Sequence, residues 1–264
     1  MNKTANPDSK GKGVTLQTVN KTIDVLDALS ETKVPLRAAE LSVLTGINPT
    51  TIYGILNTLD QRGVIEKDPI LNTYSMGPHA LRFGISYQKN SQIVKTANAI
   101  VRQMPTDTKL ATRLTILDSA CEILSIIISP STSRDSINSF LYDLYDKSSY
   151  LPLPHYASGK ILLAFSDEEK LQQILKTAGI EINDQIRNII TETRNNKYAV
   201  DFDEALIGVS CVAAAIFGRD GAIVGAISHT GESQFVKRNC PEIAQHIQQV
   251  ARLISLELGF RGTI

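Results

Sequence analysis

Small polar side chains share one side of the segment INPTTIYGILNTLDQRG, residues 47–63. If the segment is an α-helix, the polar positions that lie on or beside this side are Thr50, Thr51, Tyr53, Gly54, Asn57, Thr58 and Gln61. Hydroxyl and amide groups in this arrangement can bond phosphate oxygens or base edges, and an Asn side chain can pair with adenine. The pattern predicts a surface that reads duplex DNA. Gly54 would let the helix backbone approach the duplex, although a tolerated surface glycine explains it equally well.

A second group of side chains with binding chemistry lies on a predicted β-hairpin at residues 209–228, around the turn signal Asp220-Gly221. Any loop of even length places small side chains on one face, namely Cys211, Ala213, Ala215, Ala226, Ser228 and Thr230. The other face then carries Val212, Ala214, Ile216, Ile223, Ile227 and His229. Small residues leave space and hydroxyls orient a polar ligand, so the first face predicts a binding cavity. Close packing of a helix on an alanine-rich face is the alternative.

An anion site is predicted where Ala157-Ser158-Gly159-Lys160 precedes an apolar helix, because a helix start exposes backbone N–H groups. The segment is not a phosphate-binding P-loop, since Pro154 stands where the first glycine is required, so a carboxylate is the expected anion. Asp201 is predicted in the loop before the hairpin. There it would accept hydrogen bonds from ligand hydroxyls, or else cap a turn.

Catalytic and metal-binding constellations are not predicted. The three cysteines are far apart without a CxxC pair, and the four histidines are scattered. Cys211 lies in an apolar strand with no basic residue beside it, and His229 falls on the opposite face, which disfavours a reactive thiol. No cofactor is expected.

Bulk properties favour a cytoplasmic protein of two modest domains. The chain has 264 residues, 42% of them hydrophobic and 20% charged, with a formal net charge of zero. No apolar run approaches the roughly 18 residues of a membrane span, so no membrane partner is expected. Residues 1–13 are polar, lack the apolar core of a signal peptide, and are predicted to be a disordered tail. Basic and acidic residues balance in the first 76 positions, so DNA affinity must come from local geometry, dimerisation or the lysine-containing arm.

Three helices and a hairpin are predicted to position the polar surface. Residues 16–31 and 36–45 have helical apolar spacing, and the third helix begins at Asn48 and Pro49, which are favourable capping residues. Strand-like residues 64–67 and 73–76 flank a turn, so a wing follows the third helix. The residues predicted to face inward are Val19, Ile23, Leu26, Leu29, Ala38, Leu41, Leu44, Ile52, Ile55, Leu56 and Leu59. The result is a winged helix-turn-helix, which binds DNA or, alternatively, another protein.

The rest of the chain predicts an α+β domain in which helices cover a mainly antiparallel sheet. A connecting helix at 77–88, a hinge at 89–91 and a helix at 93–103 lead into it. Strands are predicted at 110–117, 121–128 and 137–144 besides the hairpin, and helices at 158–165, 168–177, 184–195 and 241–258. The predicted organisation is a tail at 1–13, a winged domain at 14–76, a linker helix at 77–90 and a ligand-binding domain at 91–264.

The segments LQTVNKTIDVLDAL, LRAAELSVLTGINPTTIYGILNTLDQRGVIEKD and NTYSMGPHALRFG together resemble the N-terminal domain of the IclR family of bacterial transcription regulators. The resemblance continues through LPLPHYASGKILLAF, YAVDFDEALIGVSCVAAAIFGRDGAIVGAISHTG and a last helix ending in LGF, and so covers nearly the whole chain after the tail. It implies a winged helix-turn-helix, a linker helix and an effector domain of GAF-like or profilin-like α/β fold.

The resemblance also implies dimers, or dimers of dimers, on near-palindromic operators, with small organic, sugar or aromatic acids as effectors. The matching pocket positions are Ala157, Ser158, Asp201, Cys211, Ser228 and Thr230. The predicted DNA-contacting residues are Thr18, Lys21, Thr50, Thr51, Tyr53, Gly54, Asn57, Thr58, Asn72 and Tyr74. The chain departs from the family at Gly54, where a basic residue is usual, and at Pro154, where a histidine is usual.

Three hypotheses follow from the sequence. The first is a ligand-responsive transcription regulator of a catabolic operon, with a repressor favoured. The second is a GAF-like thiol sensor or enzyme that depends on Cys211 and uses the winged helix for protein contacts. The third keeps the DNA-binding fold but discriminates weakly between sequences, because of Gly54 and the neutral charge.

Overall fold

The computed structural model describes residues 15–104, 107, 109–117, 123–129 and 153–262. The predicted tail at 1–13 and the predicted strand at 137–144 lie outside the described residues. The chain divides into two compact units, with the boundary between Ile85 and Ser86.

Residues 15–76 of the first unit form three helices and a two-stranded hairpin, which confirms the predicted winged helix-turn-helix. Its elements are α1 (Gln17–Ser30), α2 (Ala38–Thr45), α3 (Pro49–Gln61), β1 (Ile65–Asp68) and β2 (Thr73–Met76). β1 and β2 are antiparallel. Leu36 and Tyr74 exchange two backbone hydrogen bonds, of 2.9 and 2.7 Å between N and O, which attach the segment before α2 to the hairpin.

Local sequence signals fix where α3 begins. Gly46 takes a left-handed conformation with φ 68°, which a residue without Cβ adopts at no steric cost. The Asn48 side chain then accepts a hydrogen bond from the backbone N–H of Thr51 at 2.9 Å, and Pro49 is the first helical residue. The predicted inward stripe of α3 is buried, and it consists of Ile52, Ile55, Leu56 and Leu59.

Part of the predicted core of α1 and α2 is wrong. Val19 is 52% exposed, Ile23 is also exposed, and Leu44 on α2 is 62% exposed. The buried residues of α1 are Val25 and Leu29, because only the C-terminal half of the helix packs against the cluster that α2, α3 and the hairpin share. Helical spacing alone did not reveal how far along α1 the core extends.

Two successive helices follow the hairpin. α4 (Pro78–Asn90) has no buried residue, and α5 (Gln92–Gln103) has a buried face that includes Val94 and Val101. The predicted hinge at 89–91 is reduced to Ser91, the N-cap of α5.

The described residues of the second unit form a five-stranded antiparallel sheet of order β4-β3-β7-β6-β5, in agreement with the predicted fold class. The strands are β3 (Ala111–Leu117), β4 (Ile123–Ser129), β5 (Ala199–Leu206), β6 (Val209–Phe217) and β7 (Ile223–Glu232). The helices are a 3₁₀ turn (Leu153–His155), α6 (Ala157–Phe165), α7 (Glu168–Thr177), α8 (Asp184–Asn196), α9 (Ser233–Arg238) and α10 (Cys240–Glu257). Helices α5 and α10 pack on one face of the sheet, and α6 packs on the other.

The hairpin of β6 and β7 has the predicted division of side chains between two faces along most of its length. Cys211 lies opposite Thr230 and Ala213 lies opposite Ser228, so these four residues share a face. Ile223 is the exception, because the register shifts between Ile216 and Phe217. The shift turns Ile223 onto the small-residue face, where it joins the cluster under α6 rather than the face predicted for it.

Candidate functional site

The exposed side of α3 presents the polar residues predicted to read DNA. Tyr53, Gly54, Asn57 and Thr58 are exposed, and Thr51 is half-buried. No atom lies within 4 Å of a Cβ placed on Gly54, so this position is open to a partner. Thr58 Oγ1 donates to the Gly54 carbonyl at 2.8 Å, so its donor is already used within the helix.

The remaining predicted DNA contacts are not equally accessible. Asn72 is exposed in the turn of the hairpin, with φ 53°, and Thr18 is exposed on α1 while Lys21 is half-buried. Tyr74 is 2% exposed and packs in the core of the first unit, with the Lys67 ammonium 5.7 Å from its ring centroid. Tyr74 therefore supports the hairpin and is removed from the predicted DNA-contacting surface.

A small cavity lies at one end of the small-residue face of the sheet. Sheet register brings together Asp201, Cys211 and Thr230, which are neighbours on β5, β6 and β7. The complete lining is Arg113, Tyr156, Ala157, Ser158, Asp201, Ala205, Leu206, Val209, Cys211 and Thr230. Its volume of about 20 Å³ accommodates roughly one water molecule. The alanines further along β6 pack against α6. The cavity therefore occupies one end of the small-residue face, and close packing with a helix occupies the rest.

Asp201 lies in β5, not in the loop where the sequence placed it. The strand register shifts between Phe202 and Leu206, and this irregularity turns the following backbone toward the carboxylate. Asp201 Oδ1 accepts the N–H groups of Glu204 at 2.8 Å and Ala205 at 3.3 Å. Burial raises the pKa of Asp201 to about 6, although these two hydrogen bonds oppose the rise.

An ion pair fixes this part of β5 to α6. Lys160 Nζ lies 2.6 Å from Glu204 Oε1 and donates to the Val200 carbonyl at 2.8 Å. Lys160 and Glu204 do not line the cavity. Their contact instead holds the strand irregularity after Asp201 in place.

The Cys211 thiol has the environment of a packing residue. It is buried, and Thr230 Oγ1 donates to its sulfur at 3.3 Å. Burial raises the pKa of the Cys211 thiol, so the thiolate that nucleophilic or redox chemistry needs is disfavoured. Among the described residues, no group of three or more His, Cys, Asp or Glu side chains could hold a metal ion.

Two predicted pocket residues, Gly159 and Ser228, do not line the cavity. Gly159 lies where the 3₁₀ turn crosses α6, and a Cβ at this position would be 2.1 Å from the Leu153 carbonyl oxygen. Ser228 is buried between Ala213 and Arg113 in the sheet.

Sequence reasoning missed Arg113 and Tyr156, which do line the cavity. The available signal for Arg113 was a single charged residue inside the apolar run LATRLTIL. Tyr156 carried no comparable signal, because its position at the start of α6 depends on the 3₁₀ turn before it.

A pair of histidines lies on the opposite face of the sheet. His229 Nε2 is 2.9 Å from His246 Nδ1, and His229 Nδ1 is 3.1 Å from Thr112 Oγ1. Burial, together with the neighbouring His246, lowers the pKa of His229 to about 3. This arrangement confirms that His229 faces away from Cys211, as the hairpin parity predicted.

The lowered pKa of His229 predicts acid-sensitive stability in the second unit. Between pH 6.5 and 3 the unfolded chain binds a proton that the folded chain excludes, so stability is complete above pH 6.5 and decreases below it. Between pH 6.5 and 5.5 the contribution of His229 to this loss should reach about 1 kcal/mol, measured as the difference between wild type and His229→Gln in denaturant unfolding at each pH. The raised pKa of Asp201 acts in the opposite direction over the same range in both proteins. In His229→Gln this part of the pH dependence should disappear, whereas His79→Gln in the first unit should keep it. Identical pH dependence of stability in wild type and His229→Gln would contradict the lowered pKa of His229.

A winged helix-turn-helix in the same chain as a sheet domain with a small polar cavity defines the class of effector-binding transcription regulators. Two family models match this chain: the IclR helix-turn-helix domain over residues 18–69 and the bacterial transcriptional regulator IclR C-terminal domain over residues 85–256. The chain belongs to the IclR family of bacterial transcription regulators. It therefore has a DNA-binding helix-turn-helix and an effector-binding C-terminal domain.

Two relatives of this chain are named as transcription regulators. The HTH-type transcriptional regulator XynR of Escherichia coli K12 is 24% identical over 254 residues, covering 93% of this chain and 98% of XynR. The transcriptional repressor IclR of the same organism is 21% identical over 253 residues, covering 92% of this chain and 90% of the repressor.

Solved structures share the fold. The IclR transcriptional regulator from Alicyclobacillus acidocaldarius has a TM-score of 0.72 at 20% identity, covering 93% of this chain and 100% of its own. An IclR homologue from Microbacterium hydrocarbonoxydans, complexed with 4-hydroxybenzoate, has a TM-score of 0.67 at 14% identity, covering 91% of this chain and 98% of its own. Within the described part of this chain, no helix is long and apolar enough to cross a membrane.

Proposed function

We propose that this chain is a cytoplasmic repressor of catabolic genes that releases its operator when a small organic acid occupies the cavity beside Asp201. The observation that carries the proposal is the exposed polar face of α3, which includes Asn57 and the open position at Gly54. A helix with this face, followed directly by a hairpin, has the arrangement that enters the major groove in winged helix-turn-helix proteins.

Self-association is part of the proposal. Apolar side chains are exposed along α4 and at the start of α1, and they are Leu16, Val19, Ile23, Leu81, Phe83, Ile85 and Tyr87. Apolar surface of this extent favours contact with a second copy. Two copies would present two α3 helices to half-sites about one helical turn apart, which requires a near-palindromic operator.

Effector control requires a difference in affinity. An acid that bound the DNA-bound and DNA-free forms equally well would change nothing, so we propose that the acid binds the DNA-free form more tightly. Two observations on relatives support this assignment: a repressor is among them, and a homologue of the same fold is complexed with an aromatic acid.

Footprinting on the DNA upstream of the chain's own gene tests the proposed function. We expect protection of two half-sites whose centres are about 10 base pairs apart. Small hydroxy, sugar and aromatic acids are then added singly, and at least one should remove the protection.

The controls separate the remaining hypotheses. Excess unrelated DNA should not compete for the protected site, and equal competition would favour the weakly discriminating alternative. Absence of protection at low ionic strength, where phosphate contacts are strongest, would refute DNA binding. Cys211→Ser should bind DNA like wild type, because the proposal gives the thiol no chemistry.

A further inference from the structure

The position of Arg113 gives the cavity a fixed positive charge. Arg113 on β3 lies opposite Ser228 on β7, one row along the sheet from Thr230 and Cys211. Its side chain is 8% exposed and forms part of the cavity wall. Because arginine does not deprotonate in proteins, this part of the wall stays cationic at every physiological pH.

Hydrogen-bond donors also line the cavity. The Tyr156 hydroxyl is buried and finds no hydrogen-bond partner among the described residues. Burial raises the pKa of Tyr156, so the phenol stays protonated and can donate. Ala157 and Ser158, which also line the cavity, open α6, where backbone N–H groups favour an anion. A guanidinium, a phenol and a helix start together match a carboxylate.

Asp201 gives the opposite side of the cavity a hydrogen-bond acceptor. The charges that act on Asp201 are those of Glu204 and Lys160, whereas Arg113 acts on Tyr156 and Cys211. In the sheet, β7 and β6 lie between β3, which carries Arg113, and β5, which carries Asp201. The cavity is therefore bipolar, with a cation at one side and a carboxylate at the other.

We infer that the cavity selects a short hydroxy acid, whose carboxylate binds Arg113 and Tyr156 while its hydroxyl donates to Asp201. The inference rests on the proposed function and narrows the effector from acids in general to one class. A hydroxyl suits the Asp201 side better than an ammonium, because Lys160 already provides a cation that acts on Asp201. The cavity of about 20 Å³ holds roughly one water molecule, so an acid enters only if wall side chains move, and a short chain requires the smallest movement.

Wild-type protein and matched three-carbon probes test the ligand class without any substitution. L-lactate, D-lactate, D-glycerate and 3-hydroxypropionate each carry a carboxylate and a hydroxyl. Propionate lacks the hydroxyl, lactamide lacks the charge, and L-alanine has an ammonium in place of the hydroxyl. Binding is measured by calorimetry and by the shift in melting temperature.

At least one hydroxy acid should bind, and its matched amide should bind about 10- to 100-fold more weakly, because a charge-assisted hydrogen bond is lost. Propionate should be about tenfold weaker than lactate. The inference is overturned if lactamide, propionate or L-alanine binds as tightly as the best hydroxy acid. It is also overturned if no hydroxy acid shifts the melting temperature at about 10 mM.

Two variants of Arg113 then test the residue. Arg113→Gln should lose the preference for the acid over its amide, and Arg113→Lys, which keeps the charge, should retain part of it. Arg187→Gln on the exposed side of α8 is the matched control and should bind the acid like wild type. Unchanged acid affinity in Arg113→Gln would exclude Arg113 as the carboxylate partner.

Binding to the DNA upstream of the chain's own gene is measured for every variant in the absence of acid. Retained DNA binding in Arg113→Gln shows that its first unit is folded, and a far-ultraviolet circular dichroism spectrum and melting curve report on the second. If wild type binds a hydroxy acid but no DNA, the proposed function fails while the ligand class stands. If it binds DNA but none of the hydroxy acids, the ligand class fails while DNA binding stands.

Discussion

Gly54→Glu is expected to weaken binding to the upstream DNA by about 100-fold, because the new carboxylate would face phosphates and base edges. Folding should be unaffected. Gly54 has ordinary helical geometry, and no atom lies within 4 Å of an added Cβ. Electrophoretic mobility shift at fixed salt measures the affinity, and circular dichroism checks the fold.

The matched control is Asn188→Glu, which adds the same charge to an exposed position on α8 in the other unit. It should bind DNA within about threefold of wild type, since a distant surface charge is largely screened. If Gly54→Glu bound DNA with wild-type affinity, α3 would not be part of the DNA interface. Gly54→Ala then separates the two explanations of the glycine. It should stabilise the helix by about 1 kcal/mol in either case, but should reduce DNA affinity only if the backbone approaches the duplex closely.

Gly159→Ala is expected to destabilise the second unit by about 3 kcal/mol, the upper part of the usual range for overpacking. The added Cβ would lie 2.1 Å from the carbonyl oxygen of Leu153 and 2.9 Å from its carbonyl carbon. Both are backbone atoms, and the 3₁₀ turn that carries them also holds the buried Leu153 and Pro154, so the turn cannot move away without unpacking. Thermal unfolding monitored by circular dichroism should show a melting temperature lower by about 6–12 °C.

Gly84→Ala is the matched control, because Gly84 lies within α4 and no atom lies within 4 Å of its added Cβ. Removing a helix-interior glycine at an open position should stabilise the protein slightly, by up to about 1 kcal/mol. Equal melting temperatures for Gly159→Ala and wild type would show that the 3₁₀ turn moves away without loss of stability. The close approach of Gly159 to the Leu153 carbonyl would then not be needed for stability.

Features set by neighbouring residues were predictable from the sequence. Asn48 and Pro49 mark the start of α3 because capping depends on groups only a few positions apart. The shared face of Cys211 and Thr230 followed from the parity of a hairpin loop. These interactions join residues close in the chain, and tertiary packing had little opportunity to change them.

Features set by distant residues were not predictable. Ile223 lies on the face opposite to the predicted one because of a register shift. Asp201 lies in a strand rather than in the predicted loop, because the strand continues past an irregularity. The cavity wall needed Arg113 and Tyr156, which join Asp201 only after β3, the 3₁₀ turn and β5 have assembled. Spacing within one segment carries no information about such assemblies.

The alternation of side chains along β6 has a consequence for how new specificities arise. Ala213 and Ala215 belong to the face under α6, whereas Val212, Ala214 and Ile216 belong to the cluster under α10. Substitutions at Cys211 and its cross-strand neighbour Thr230 can therefore alter which ligands the cavity accepts without disturbing the apolar cluster under α10. A combinatorial library restricted to those wall positions should yield folded biosensors for other metabolites at a far higher rate than one that randomises consecutive positions.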